Sequence, residues 1–107
     1  MDNIVTNITI GNWYLVRGKP TKISPANVVW AYRTGCFPIP LTEELLQRLF
    51  PDPDKITWFP LDEKKGFFNI YWEHPTFGEG ELRLEIQYVH QLQDAMRLCN
   101  IKKNIEL

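Results

Sequence analysis

Apolar residues recur along the chain in two rhythms, one of period two and one helical. The changes of rhythm predict the elements. Leu82, Leu84, Ile86 and Tyr88 alternate with Arg83, Glu85 and Gln87, the pattern of a half-buried strand. Val89, Leu92, Ala95, Met96 and Cys99 then fall at helical spacing and predict a closing amphipathic helix, with Asn100 as its stop. Earlier, Thr42 opens a second short helix. Glu43 and Glu44 sit in its first turn, where acid favours the helix dipole. Leu45, Leu46, Leu49 and Phe50 form its apolar stripe, and Pro51-Asp52-Pro53-Asp54 ends it. Ile56 to Phe59, stopped by Pro60, is a short strand candidate. Phe67 to Trp72 is dense in aromatic and β-branched residues and reads as another. Both faces of that second run are apolar, which suggests burial on both sides or a binding edge. Asp62 to Gly66 is a charged turn, and residues 73 to 81 form a loop.

The N-terminal half is punctuated rather than periodic. Gly11-Asn12 is a two-residue turn between Ile8-Thr9-Ile10 and Trp13-Tyr14-Leu15-Val16, suited to a tight hairpin. Trp13 to Val16 reads equally as a lone extended segment. Gly18 to Lys22 is a polar loop. A helix follows over about residues 25 to 34. Ser24 is a preferred N-cap, and Pro25 falls at the first helical position, where a missing N–H costs nothing. Ala26, Val29, Trp30 and Arg33 lie at helical spacing. Gly35 stands where a positive φ is wanted. Phe37-Pro38-Ile39-Pro40 leaves as an extended apolar strap, because residues before proline avoid the helical region. Ile101 to Leu107 reads as a frayed tail. Together these elements predict one α+β domain over residues 1–107: a small mixed or antiparallel sheet with two to three short helices.

Composition agrees with a folded domain. The chain of 107 residues is 44% hydrophobic and 13% aromatic, which excludes a disordered tail. No apolar run approaches the roughly 20 residues of a membrane span. Met1-Asp2-Asn3 does not lead a basic region into an apolar one, so no signal peptide is visible and a cytoplasmic protein is expected. Cys36 and Cys99 have no metal spacing; one disulfide between them is open to the sequence, and buried free thiols in a reducing compartment are the simpler reading. Net charge is −1, and that balance does not advertise nucleic acid, though a local patch is compatible with it.

Candidate chemistry is sparse. His74 and His90 are the only histidines, and neither has a second ligand at metal spacing. Both read as surface residues. Cys36 follows a helix C-terminus, which disfavours a thiolate, so packing explains it better than nucleophilic attack. Gly78-Glu79-Gly80 carries an acid and lacks the context of a phosphate loop. Arg33, Arg48, Lys64, Lys65, Arg97, Lys102 and Lys103 are interleaved with acids and read as solvated surface. Trp13, Trp30, Trp58 and Trp72 are more telling, since tryptophan is enriched both in cores and at recognition surfaces. Core is the simpler reading for each. No cofactor, metal site or catalytic constellation emerges.

One stretch resembles a known family. Ser24-Pro25-x-x-Val28-Val29-x-Ala31-Tyr32-Arg33-x-Gly35-x-Phe37-Pro38 is similar to the N-terminal segment of leucyl/phenylalanyl-tRNA–protein transferases, which carries Leu-Ser-Pro and then an Ala-Tyr-x-x-Gly-Ile-Phe-Pro-Trp run. Asn12 to Gly18 resembles the run that precedes it in the family. Ile56 to Asp62 loosely resembles the Trp-Trp-Ser-Pro-x-x-Arg segment that follows. The order agrees, over residues 12 to 62. The family transfers Leu or Phe from aminoacyl-tRNA to the N-terminal Lys or Arg of a protein, marking it for degradation. The resemblance implies a substrate-binding set of Tyr32, Phe37, Pro38, Ile39, Trp58 and Phe59.

This chain also departs from the family. The tryptophan after Phe-Pro is Ile39 here, Phe67 to Glu73 replaces a basic tRNA-gripping helix, and residues 41–55 are longer. The family's catalysis resides in a C-terminal acetyltransferase-like domain, of which the chain holds at most the start. The resulting expectation is a non-catalytic module that binds an apolar side chain or a partner protein. The partner would be a separate catalytic subunit, another protein or a second copy of the chain. The departures argue against aminoacyl-tRNA. Two alternatives stand beside it. One is a complete small aminoacyltransferase with Glu73, His74 or Asp62 as base. The other is a structural or regulatory adaptor, of mobile-element origin in one version.

Overall fold

Strand β1, Trp13–Val16, stands between two hydrophobic clusters, giving Tyr14 and Val16 to one and Trp13 to the other. The computed structural model describes residues 4–51, 56–73, 81–99 and 101–107, with residues 72–73 and 81–83 described by their backbone alone. Tyr14 and Val16 point into the smaller cluster, with Ile23, Ala31 and Cys36. Trp13 points the other way and packs on the larger one. This is the period-two alternation of a strand, used here to join two cores.

The hairpin does not turn where the sequence suggests. β1 pairs antiparallel with β2, Lys19–Lys22, about a two-residue turn at Arg17-Gly18. Both turn residues have positive φ, 54° and 74°, as the hairpin turn matched to strand twist requires. Gly11-Asn12 instead prolongs the same ladder: Gly11 N–H donates to the Ile23 carbonyl at 2.8 Å, and Ile23 N–H to the Asn12 carbonyl at 2.9 Å. Residues 8–10 are not a strand, and the polar loop expected over 18–22 is largely one. β2 carries Pro20 and two lysines because it is an exposed edge, where proline and charge are tolerated.

Helix α1 is shorter than expected, Val28–Thr34, with Asn27 rather than Ser24 at its N-cap. Ser24 contributes its main chain: its carbonyl accepts from the N–H groups of Asn27 and Val28. The Asn27 side chain ties the turn, accepting from Ser24 N–H at 2.8 Å and donating to the Lys22 carbonyl at 3.0 Å. Gly35, at φ 104°, ends the helix as the sequence predicts, and its N–H reaches the Ala31 carbonyl. β3, Cys36–Phe37, returns beside β1. The order in this sheet is β2-β1-β3, with Val5 bridged to Cys36 beyond it.

The strap then crosses to the larger core. Val89 N–H donates to the Ile39 carbonyl and Leu41 N–H to the Gln87 carbonyl, so the strap pairs with the segment before the last helix. Helix α2, Glu43–Leu49, follows the sequence closely: the Thr42 side chain accepts from Leu45 N–H, and Leu45, Leu46 and Leu49 are buried. β4, Ile56–Pro60, β5, Phe68–Glu73, and β6, Glu81–Ile86, form an antiparallel meander, with Trp58 opposite Ile70 and Ile70 opposite Leu84. Most of the loop expected between β5 and β6, with Gly78-Glu79-Gly80, lies outside the described residues, as do Asp52 to Lys55 and Asn100. Helix α3, Val89–Leu98, buries Val89, Leu92, Ala95 and Met96 as predicted, and Gln93 besides. The described fold is thus α+β, with two small antiparallel three-stranded sheets and three helices. No helix among the described residues is long and apolar enough to cross a membrane.

The last segment is not frayed. Ile105 is 3% exposed and belongs to the larger core. Its carbonyl accepts from Trp13 Nε1 at 2.8 Å. Arg48 donates to the Glu106 carbonyl, and Lys103 donates to the Leu49 carbonyl.

Candidate functional site

Amphipathic packing explains every helix of the chain except α1. Ala31 is its one buried residue, and Val28 packs partly against the smaller core. The opposite side carries Val29, Trp30 and Tyr32, which are 61%, 46% and 62% exposed. Trp30 is therefore surface rather than core, against the simpler reading of the sequence. Cohering apolar side chains on the outside of a helix mark an interaction surface more often than a folding requirement. Substituting them leaves both cores untouched.

Charge is organised around the same helix. Residues 4–40 contain Arg17, Lys19, Lys22 and Arg33 and no acid; apart from Asp2, every acid lies at or beyond Glu43. Arg33 lies on α1 itself, and the main chain passes its two ends at Lys22 and Arg17. The Lys22 carbonyl receives the Asn27 side chain at its N-terminal end. Arg17 follows Val16, which pairs with Cys36 just past its C-terminal end. None of the four is ion-paired among the described residues. The near-neutral total of the whole chain concealed this asymmetry; counting charge by halves would have found it.

The six residues singled out by resemblance lie in several parts of the described fold. Tyr32 lies on the exposed face of α1. Phe37 is half-buried in β3, opposite Leu15, and Pro38 is half-buried beside it. Ile39 and Trp58 both pack against the larger core, Trp58 edge-on to Phe68 at 6.3 Å between ring centroids. Phe59 is exposed and stacks on Tyr71 at 5.3 Å. Ile39 lines a cleft. This cleft has a volume of about 180 Å³, and Ile39 shares its apolar wall with Leu45, Val89 and Leu107, while Glu44 and Arg48 stand beside them.

Groups that could do covalent chemistry are few. The Cys36 thiol is buried, contacts the Ala31 carbonyl at 3.5 Å and is pushed up in pKa by burial, so it is held as a neutral packing group. Cys36 and Cys99 are both free. Among the described residues no three His, Cys, Asp or Glu side chains converge as a metal site would require. Asp62, one of three suggested bases, is exposed and makes no hydrogen bond or ion pair among the described residues. The Glu73 side chain and His74 lie outside them.

His90 is not the surface residue that the sequence suggests. Its ring lies between Tyr14, at 5.2 Å, and Tyr88, at 5.9 Å and nearly parallel. Its Nδ1 is buried without a hydrogen-bond partner among the described residues. Desolvation lowers its pKa, and Asp94 opposes this only in part. As pH falls below about 6.5 the unfolded chain takes up this proton before the folded one does. The contribution of neutral His90 is therefore complete above that pH. It declines below it, until the lower folded-state pKa is reached. Denaturation in urea at descending pH should show this slope, and His90→Phe should remove it while keeping the stacked ring and full stability at neutral pH.

Compared with protein-family models, with curated proteins and with solved structures, the chain finds no match in any of the three.

Proposed function

We propose that this chain is a binding module that engages another protein through the outer face of α1, and that it performs no catalysis alone. The outward display of Val29, Trp30 and Tyr32 carries this reading. Their setting gives the partner its chemistry: an apolar surface edged with acid, to meet a segment that holds cations and no carboxylate. The similarity of residues 24–38 to the leucyl/phenylalanyl-tRNA–protein transferases supports a module of that kind, with a separate catalytic subunit as one such partner. A cytoplasmic setting fits the two free thiols.

The test is photo-crosslinking from position 29 in the native cell, repeated with Trp30→Ala and Tyr32→Ala. One protein captured in stoichiometric yield is expected. Each substitution should weaken its binding to the purified chain by about tenfold or more, as central aromatic anchors do, with no change in melting temperature. Self-capture would identify a second copy as the partner. Capture of nucleic acid, or unchanged binding in both variants, would sink the proposal.

A second reading draws on the Ile39 cleft. Its volume of about 180 Å³ and apolar wall suit one aliphatic side chain, and Arg48 and Glu44 offer charges for a carboxylate and an amine. Calorimetric titration with leucine- and phenylalanine-bearing peptides decides it, and absence of heat from both removes it.

A further inference from the structure

A wider cleft, about 230 Å³, lies where the N-terminal sheet, α3 and the C-terminal segment meet. Three cations from three stretches of chain line it: Lys22 at the end of β2, Arg97 in the last turn of α3, and Lys103 beyond that helix. No carboxylate is among its described lining residues. Bringing like charges together costs free energy unless an anion joins them.

The cations differ in how far they are already engaged. Arg97 donates to the Asn12 side chain and to Asp94, which offsets its charge and fixes its position. Lys103 has no ion-pair partner among the described residues, but its ammonium donates to the Leu49 carbonyl and lies 5.3 Å from the centre of the Phe50 ring, two residues that do not line the cleft. Lys22 and Asn104 make no side-chain hydrogen bond or ion pair among the described residues. Ile10 and Met96 supply an apolar wall.

We propose that this cleft binds the phosphate group of a small organic phosphate ester. Lys22 and Lys103 have no carboxylate partner among the described residues, and once Lys103 turns its ammonium from the Leu49 carbonyl into the cleft the two match the double charge of a phosphate monoester, whereas a carboxylate would neutralise only one. The guanidinium has N–H donors beyond those spent on Asn12 and Asp94, and Asn104 adds an amide donor. The apolar wall takes the organic part. The volume lies below the roughly 300 Å³ at which drug-sized sites begin, so the ester is small. This site is separate from α1, and its test does not depend on the α1 partner.

The test is calorimetric titration of the full chain with ribose 5-phosphate, inorganic phosphate, ribose and acetate at low salt. Binding of the ester, none of ribose or acetate, and weakening with added salt are expected. Tighter binding of the ester than of inorganic phosphate assigns the ester as ligand; equal affinity assigns free phosphate to the same site. Lys22→Ala should weaken binding by about tenfold, and Lys22→Arg should restore most of it. Because Lys22 is exposed and unpaired among the described residues, both variants should melt with the parent chain. Absence of heat from both phosphates, or an affinity unmoved by Lys22→Ala, overturns the proposal.

Discussion

Replacing Ile105 with alanine is expected to lower the unfolding free energy by about 2–4 kcal/mol, the range for a buried aliphatic side chain cut to a methyl group. Ile105 is 3% exposed and sits in the larger core with residues of α2, β5, β6 and α3. Little in its own neighbourhood in sequence accounts for this burial. Its carbonyl is held by Trp13 Nε1, from a residue 92 positions earlier, and Arg48 and Lys103 anchor the chain on either side of it. Trp13→Phe keeps most of the apolar contact and removes the donor, so it should cost about 1 kcal/mol. Urea denaturation followed by fluorescence and by circular dichroism checks both values. A frayed terminus would behave differently: Ile105→Ala would then shift stability by no more than about 0.5 kcal/mol, as surface substitutions do.

That contrast marks where sequence reading works in this chain. α2 and α3 are legible because each carries its own apolar stripe, and Leu45, Leu46, Leu49, Leu92 and Met96 are buried as their spacing requires. β5 is legible because aromatic and β-branched residues cluster in it, and β6 because Leu82, Leu84 and Ile86 alternate with charged residues. β2 was not, because an exposed edge strand with the sequence Lys-Pro-Thr-Lys has no apolar alternation to betray it. Two glycine-bearing turns competed for one hairpin. The strand partner decided between them: Ile23 pairs with Asn12 through the main chain, and no side-chain pattern records that. Resemblance gathered Tyr32, Phe37, Pro38, Ile39, Trp58 and Phe59, yet the fold places them on α1, in and just beyond the N-terminal sheet, and against the larger core or on β4. Residues near one another in a motif are placed by tertiary packing. The exposed face of α1 was visible as Val29, Trp30 and Tyr32, but not which way it pointed.

Asn12→Ala should be about as costly, near 3 kcal/mol, although the residue is small and polar. Asn12 is 0% exposed. Its Nδ2 donates to Asp94 Oδ1 at 2.9 Å and lies 3.4 Å from the Tyr14 hydroxyl, and its Oδ1 accepts from both terminal nitrogens of Arg97. Hydrogen bonds to charged groups are each worth about 1.5–3 kcal/mol, and a buried network loses more than one pair when its centre goes. Asp94 and Arg97 are near half exposed and can turn to water, which limits the loss; the fully buried Tyr14 hydroxyl cannot, and keeps only the Thr9 N–H at 3.2 Å as a partner among the described residues. Beside this network Gln93 accepts from Trp13 N–H and donates to the Gly11 carbonyl. Residues 11–13 and α3 are thus joined by side chains about 80 positions apart in sequence. The pairing has a direction that substitution can reverse. Asn12→Asp alone sets a carboxylate against Asp94 and should destabilise. Adding Asp94→Asn moves the amide to the other partner, which can then donate to the new carboxylate while Arg97 keeps its acceptor. The double variant should recover most of the loss in urea denaturation. Groups in direct contact couple in this way, whereas separate sites add within about 0.5 kcal/mol. Additive losses would mean that Asn12, Asp94 and Arg97 do not act as a unit, and that residues 11–13 are held to α3 by the Gln93 hydrogen bonds instead.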